Sequence, residues 1–152
     1  MEHDGSRIHS GDPCSAAGSF PDGGAWTGRS LLKASECHVS DVTRLDDASL
    51  SYSSLGGWQD RGRLDGFLGL TRSVWRSRAY GDFWSHVLVA EGAVDVAAEP
   101  AVSVWDIAAI QVIVEEAGGR FTDLEGGDRI DRRGGLYSNG RFDEEIWACR
   151  SR

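Results

Sequence analysis

Val104-Trp105-Asp106-Ile107-Ala108-Ala109, followed by Ile113-Val114-Glu115-Glu116-Ala117-Gly118-Gly119, carries the strongest pattern in the chain. It sets one carboxylate at the mouth of a helix and lines the following turns with small and branched apolar residues. It ends on a glycine pair, the signal of a helix C-terminus. An Asp at a helix start has two uses. It can cap the N–H groups of the first turn, or it can turn its oxygens outward to a hard cation such as Mg²⁺, which prefers carboxylate and phosphate oxygen. The local pattern leaves both readings of Asp106 open.

Working outward, Arg120 to Asp123 predicts a strand, Glu125-Gly126-Gly127-Asp128 a loop and Gly135 to Ser138 a further strand. Ser138-Asn139-Gly140 is a turn, and Phe142 to Ala148 a closing helix. Upstream, Val94 to Ala98 is a strand that Glu99-Pro100 turns. Phe83 to Glu91 predicts a helix with Phe83, Val87 and Ala90 on one face and Gly92 just past its end. Ser73 to Tyr80 is extended and closed by Gly81, and Leu64, Phe67, Leu68 and Thr71 fall at the spacing of a short amphipathic helix. Ala48 to Ser53 alternates Leu50 and Tyr52 against Ser49, Ser51 and Ser53, the pattern of a half-buried strand, with Gly56-Gly57 breaking it. Strands alternating with helices predict a layered α/β fold. Residues 1–24 carry few large apolar side chains and much Gly, Ser, Asp and Pro, so they are expected to be disordered, leaving 25–152 as one folded domain.

Composition narrows the function. A chain of 152 residues with 40% apolar and 26% charged residues fits one domain with a real core. The net charge of −8 argues against a nucleic-acid groove, which needs clustered Lys and Arg. Cys14, Cys37 and Cys149 form no C-x-x-C pair and read as reduced thiols. The acidic start leads into no apolar signal region, and no apolar run approaches the ~18 residues of a membrane span. A soluble, cytoplasmic protein is expected. His86, inside a helix, reads as packed or solvent-facing, and His38 beside Cys37 lacks the further ligands of a zinc site. The six tryptophans, without a basic surface, belong to a core or an interface. No Ser sits in a nucleophile elbow, so Ser-His-Asp chemistry is unsupported.

Trp105-Asp106-x-Ala108-Ala109 with Glu116-Ala117-Gly118-Gly119 resembles the second signature of the inositol monophosphatase superfamily, metal-dependent phosphatases of small phosphate monoesters. Gly24-Ala25-Trp26, Ser51-Tyr52-Ser53, Arg78-Ala79-Tyr80-Gly81-Asp82-Phe83 and Val89-Ala90-Glu91-Gly92-Ala93-Val94-Asp95 narrow the likeness to its histidinol-phosphatase branch, over roughly Trp26 to Trp147. The resemblance implies helices layered on a mixed sheet, as in the C-terminal portion of that fold. It makes Asp106 a Mg²⁺ ligand and sets Arg78, Asp82 and Glu99 against the organic part of the substrate. Arg78 would meet a phosphate or carboxylate oxygen, and Asp82 or Glu99 a hydroxyl or ammonium group. The plainer alternatives are a surface salt bridge for Arg78 and a helix N-cap for Asp82. A homodimer is also implied.

The family's first signature, Asp-Pro-Ile-Asp-Gly-Thr, has no counterpart. Asp12-Pro13-Cys14-Ser15-Ala16-Ala17 shares only its first two letters. Metal-assisted phosphoryl hydrolysis needs several carboxylates converging on the ions, and one Asp does not supply them. Two expectations follow from different classes. One is a Mg²⁺-dependent phosphatase of histidinol phosphate, with inositol phosphate as the alternative substrate, here incomplete and inactive alone, with no catalytic residue of its own assigned. The other is a non-catalytic truncated or assembly fragment.

Overall fold

The computed structural model describes residues 31–32, 35–132 and 134–150. The expectation for residues 1–24 lies outside them. A short antiparallel ladder, β1 (Leu31–Leu32) with β2 (Ser35–Glu36), precedes the main body. There β3 (Ser49–Tyr52) leads through α1 (Leu55–Asp60) and α2 (Leu64–Ser73) to β4 (Arg76–Arg78). α3 (Asp82–Ala90) and β5 (Val96–Glu99) follow, then α4 (Val104–Glu116) and β6 (Arg120–Asp123). β7 (Gly135–Ser138) and α5 (Asp143–Arg150) complete the order. The five longer strands form one mixed sheet, β4-β3-β5-β7-β6, in which β4, β3 and β5 run parallel and β7 and β6 alternate in direction. Among the described residues no helix is long and apolar enough to cross a membrane.

The period of two along each strand divides the core into two layers. Leu50, Val96, Ala98 and Leu136 face α1, α2 and α5, where Phe67 stacks on Trp58 at 4.4 Å and meets Tyr52 edge-on at 5.1 Å. Ala97, Phe121 and Tyr137 face the other way, against Val89 and Ala90 of α3 and Ile110 and Val114 of α4. Both faces of β3 are therefore covered, and the half-buried reading is corrected. Ser49 and Ser51 are buried, and the Ser51 and Ser85 hydroxyls hydrogen-bond at 2.7 Å, because small side chains let α3 lie close to the strand. Gly56 and Gly57 also do not break the chain. They sit inside α1, where Gly57 leaves room for Pro100, whose Cγ would stand 2.7 Å from an added Cβ.

α3 buries Ser85, His86, Val89 and Ala90 rather than the face that Phe83 and Val87 would define, and Phe83 is 63% exposed. His86 is the packed histidine: its ring centroid lies 4.3 Å from that of Tyr137, and burial pushes its pKa down to about 4.

The glycine pair after α4 ends the helix as expected, each glycine for its own reason. Gly118 takes φ +87°, and the Gly118 and Gly119 amides donate to the Glu115 and Val114 carbonyls at 3.0 and 2.9 Å, the bonds of a Schellman turn. Gly119 is needed for space, since an added Cβ would stand 2.6 Å from Val114 Cγ1 and 2.7 Å from the Ser138 carbonyl.

At the end of the sheet where β3 begins, a buried carboxylate ties the layers together. Asp95 Oδ2 accepts from the Ser49 amide at 2.6 Å and the Ser49 hydroxyl at 2.8 Å, and Oδ1 accepts from the Ser40 hydroxyl. Asn139 Nδ2 donates to the Val42 carbonyl at 2.8 Å and to Ser40 Oγ at 3.0 Å. This end of the sheet is closed by its own hydrogen bonds.

Candidate functional site

The opposite end is open chemically. β3 hands the chain to helices on one face of the sheet, while β4 and β5 hand it to helices on the other. Parallel strands whose connections diverge in this way leave a crevice at their C-terminal ends, where ligands bind in open α/β sheets. Arg78 is the last residue of β4, Ser53 directly follows β3, and Glu99 ends β5, so all three stand at that edge. Asp82 opens α3 and Asp106 lies in the first turn of α4, both entered from the same edge.

Glu99 is the anomalous group. It is 3% exposed; its Oε2 accepts from the Ser53 hydroxyl, and its Oε1 is buried with no hydrogen-bond partner among the described residues. Burial pushes its pKa up to about 7, against the Ser53 hydrogen bond and with a smaller upward contribution from the Asp82 charge. A buried carboxyl oxygen without a donor costs stability, of order 1–3 kcal/mol. Other buried atoms share this lack, among them Trp58 Nε1 and Thr122 Oγ1, but of these Glu99 is the one at the C-terminal edge of the parallel strands, where a ligand can supply the donor.

The other candidates are exposed around it. Asp82 is not the N-cap of α3: Gly81 holds that place, and Asp82 is the one non-glycine residue with positive φ, +49°, among the described residues. A non-glycine residue in this region carries local strain, which gathers at functional sites. The Arg78 guanidinium donates to the Ser77 carbonyl at 2.9 Å and has no ion pair among the described residues, so the salt-bridge alternative is not realised there. Asp106 is not an N-cap either. Ser103 occupies that position, the Asp106 amide donates to its carbonyl at 3.0 Å, and the Asp106 side chain is exposed. The structure thus joins Glu99 to Ser53 and to the charge of Asp82, while Arg78 and Asp106 are exposed on elements that meet the same edge of the sheet without a contact to Glu99 among the described residues.

A cation site is not assembled. Among the described residues no group of three or more His, Cys, Asp or Glu side chains converges on one point. Ser53 is the site residue that sequence reasoning missed. Its place in the Ser49-Ser51-Ser53 alternation marked it as a polar strand position, and nothing local distinguishes it from Ser51.

The inositol monophosphatase family model matches residues 15–151. The chain belongs to that family. It is 58% identical over 125 residues to a histidinol-phosphatase of Streptomyces coelicolor, covering 82% of this chain and 47% of that protein. It is 55% identical over 108 residues to the histidinol-phosphatase of Mycobacterium tuberculosis, covering 71% and 42%. Its fold matches the extragenic suppressor protein suhB of Bartonella henselae with a TM-score of 0.71 at 27% identity, covering 80% of this chain and 48% of that one. The chain therefore spans less than half the length of these relatives.

Proposed function

We propose that this chain is the substrate-recognition half of a phosphate monoester hydrolase acting on L-histidinol phosphate. The observation that carries the reading is the buried Glu99 oxygen without a donor, at the C-terminal edge of the parallel strands. Histidinol phosphate carries an ammonium group, whereas inositol phosphate offers only hydroxyls. A cation brought to Glu99 supplies the missing donor and, by its charge, draws the carboxyl back towards its ionised form. Asp82 adds a second negative charge to that place, and Ser53 fixes the orientation of Glu99. Arg78, exposed at the end of β4, would take a phosphoryl oxygen. This favours the amino alcohol ester over inositol phosphate, the second reading within the same family.

Enzymes of this family depend on Mg²⁺, and Asp106 would be one of its ligands. The described residues do not by themselves fit the ion. Mg²⁺ demands an octahedral oxygen set and gives up water reluctantly, and a single exposed carboxylate does not provide one. The chain alone is accordingly inactive, and the remaining ligands belong to the part of the fold that it does not span.

The test is a chimera joining the unmatched half of the S. coelicolor relative to this chain. Release of inorganic phosphate in Mg²⁺ is expected from the chimera and absent from the chain alone, with L-histidinol phosphate preferred over inositol 1-phosphate. Equal turnover of the two esters, or turnover by the chain alone, overturns the reading.

A further inference from the structure

Glu99 is held in place by the residue that follows it. A proline confines the backbone of its predecessor to the extended region, so Pro100 fixes Glu99 at the end of β5. Pro100 is itself buried and gripped from two sides by residues without side chains. On one side stands Gly57, inside α1, where an added Cβ would lie 2.7 Å from Pro100 Cγ and 3.5 Å from Pro100 Cβ. On the other stands Gly134, immediately before β7. A Cβ there would lie 2.7 Å from the Pro100 carbonyl oxygen and 3.2 Å from that of Glu99. Neither glycine has a positive φ, and inside a helix glycine is less favourable than alanine. What both provide is room for the proline. The same helix also registers Glu99 against Ser53. Ser54, the N-cap of α1, directly follows Ser53, and Pro100, seated on Gly57, directly follows Glu99. Alternation along β5 puts Ala98 on the α1 side of the sheet and Glu99 on the α3 side. α1 therefore acts on Glu99 through the chain, from the opposite face.

We infer that Gly57, together with Gly134, is a positioning residue that determines specificity: by seating Pro100 it sets the place of the Glu99 carboxyl, and with it the discrimination in favour of a substrate ammonium. Carbon atoms pack at ~3.5 Å, so a methyl at residue 57 must push the proline ring away by about 0.8 Å. A displacement of that order, at a group that binds through one charge-assisted hydrogen bond, costs roughly tenfold or more.

The inference deepens the substrate reading and rests on it where an ester is the probe. In the chimera, kcat/KM is measured for L-histidinol phosphate and for the same ester with hydrogen in place of its ammonium. Gly57→Ala is expected to lower the preference for the amine at least about tenfold, while kcat/KM for the deaminated ester stays within about threefold. Pro100→Ala removes Cγ, the atom that the new methyl would meet, so the double variant is expected to regain most of the preference. Should Gly57→Ala fail to fold, Pro100→Ala alone, which empties the same contact, is expected to lower the preference at least about threefold, and the double variant to restore it. In the chain alone, the carboxyl carbon resonance of Glu99 is followed by NMR against pH. Displacing the group changes its burial and its distance from Ser53 and Asp82, so its midpoint is expected to move by at least about half a pH unit in either single variant. Where Glu99→Gln abolishes the preference, a wild-type preference in Gly57→Ala, or an equal loss for both esters, overturns the inference. Where Glu99→Gln leaves the preference unchanged, the substrate reading fails and the midpoint decides the positioning by itself: a shift upholds it, and an unmoved midpoint overturns it.

Discussion

Replacing Glu99 by Gln is expected to stabilise the protein above neutral pH, and the size of the effect follows from the site. The folded pKa of Glu99 stands at about 7, against 4.5 for an ordinary glutamate. A carboxyl whose pKa is raised by folding contributes no penalty below its unfolded pKa. As pH rises the unfolded state ionises first, so stability falls until the folded group ionises near pH 7. The gap corresponds to about 3 kcal/mol, fully expressed at pH 8. Gln removes the ionisation while its amide can still meet Ser53, so the advantage of Glu99→Gln is near zero at pH 4.5 and about 2–3 kcal/mol at pH 8. His86 acts with the opposite sign. Its folded pKa of about 4 lies below the usual 6.5, so its contribution grows as pH rises from 4 to 6.5. Over the shared window the two groups offset one another: their contributions leave the wild-type curve nearly flat, while that of Glu99→Gln climbs. Urea denaturation of both proteins from pH 4.5 to 8 measures this. A variant as stable as wild type at pH 8, or less stable by an equal amount at every pH, refutes the account of Glu99 as a buried carboxyl lacking its donor.

Two structural predictions accompany it. Gly118→Ala places a Cβ at φ +87° with its nearest neighbour 3.9 Å away and is expected to cost about 1 kcal/mol, whereas Gly119→Ala meets Val114 and the Ser138 carbonyl and is expected to cost more, about 2–3 kcal/mol, in the same denaturation assay. Asp95→Ala strips three hydrogen-bond donors of their acceptor and should destabilise by about 3–5 kcal/mol; a loss below about 1 kcal/mol would show that water replaces the carboxylate.

The elements punctuated by glycine were legible in the sequence. The strands β6 and β7 run as Arg120–Asp123 and Gly135–Ser138, the ranges that their flanking turns predict, and α4 stops at Gly118-Gly119. What local pattern could not show was which side of an element another layer would cover. Ser51 of β3 looks solvent-facing until α3 brings Ser85 onto it, and the buried face of α3 is set by α4, β5 and Tyr137, all distant in sequence. Gly56-Gly57 reads as a break because intrinsic propensity is weak against the packing of Pro100 over α1. In the proposed site, the family resemblance pointed to Asp106, Glu99 and Asp82, but the contact between Ser53 and Glu99 exists only once β3 and β5 are paired.

Glu99 is proposed to receive the ammonium group of the substrate. In the chimera, the most direct test is the ratio of kcat/KM for L-histidinol phosphate to that for the same ester with hydrogen in place of its ammonium, measured with Glu99 and with Glu99→Gln. A buried charge-assisted hydrogen bond of about 2–3 kcal/mol predicts a preference of roughly 30- to 150-fold for the amine. That preference should collapse to within several-fold in the variant. A ratio left unchanged by Glu99→Gln would show that Glu99 does not meet the ammonium.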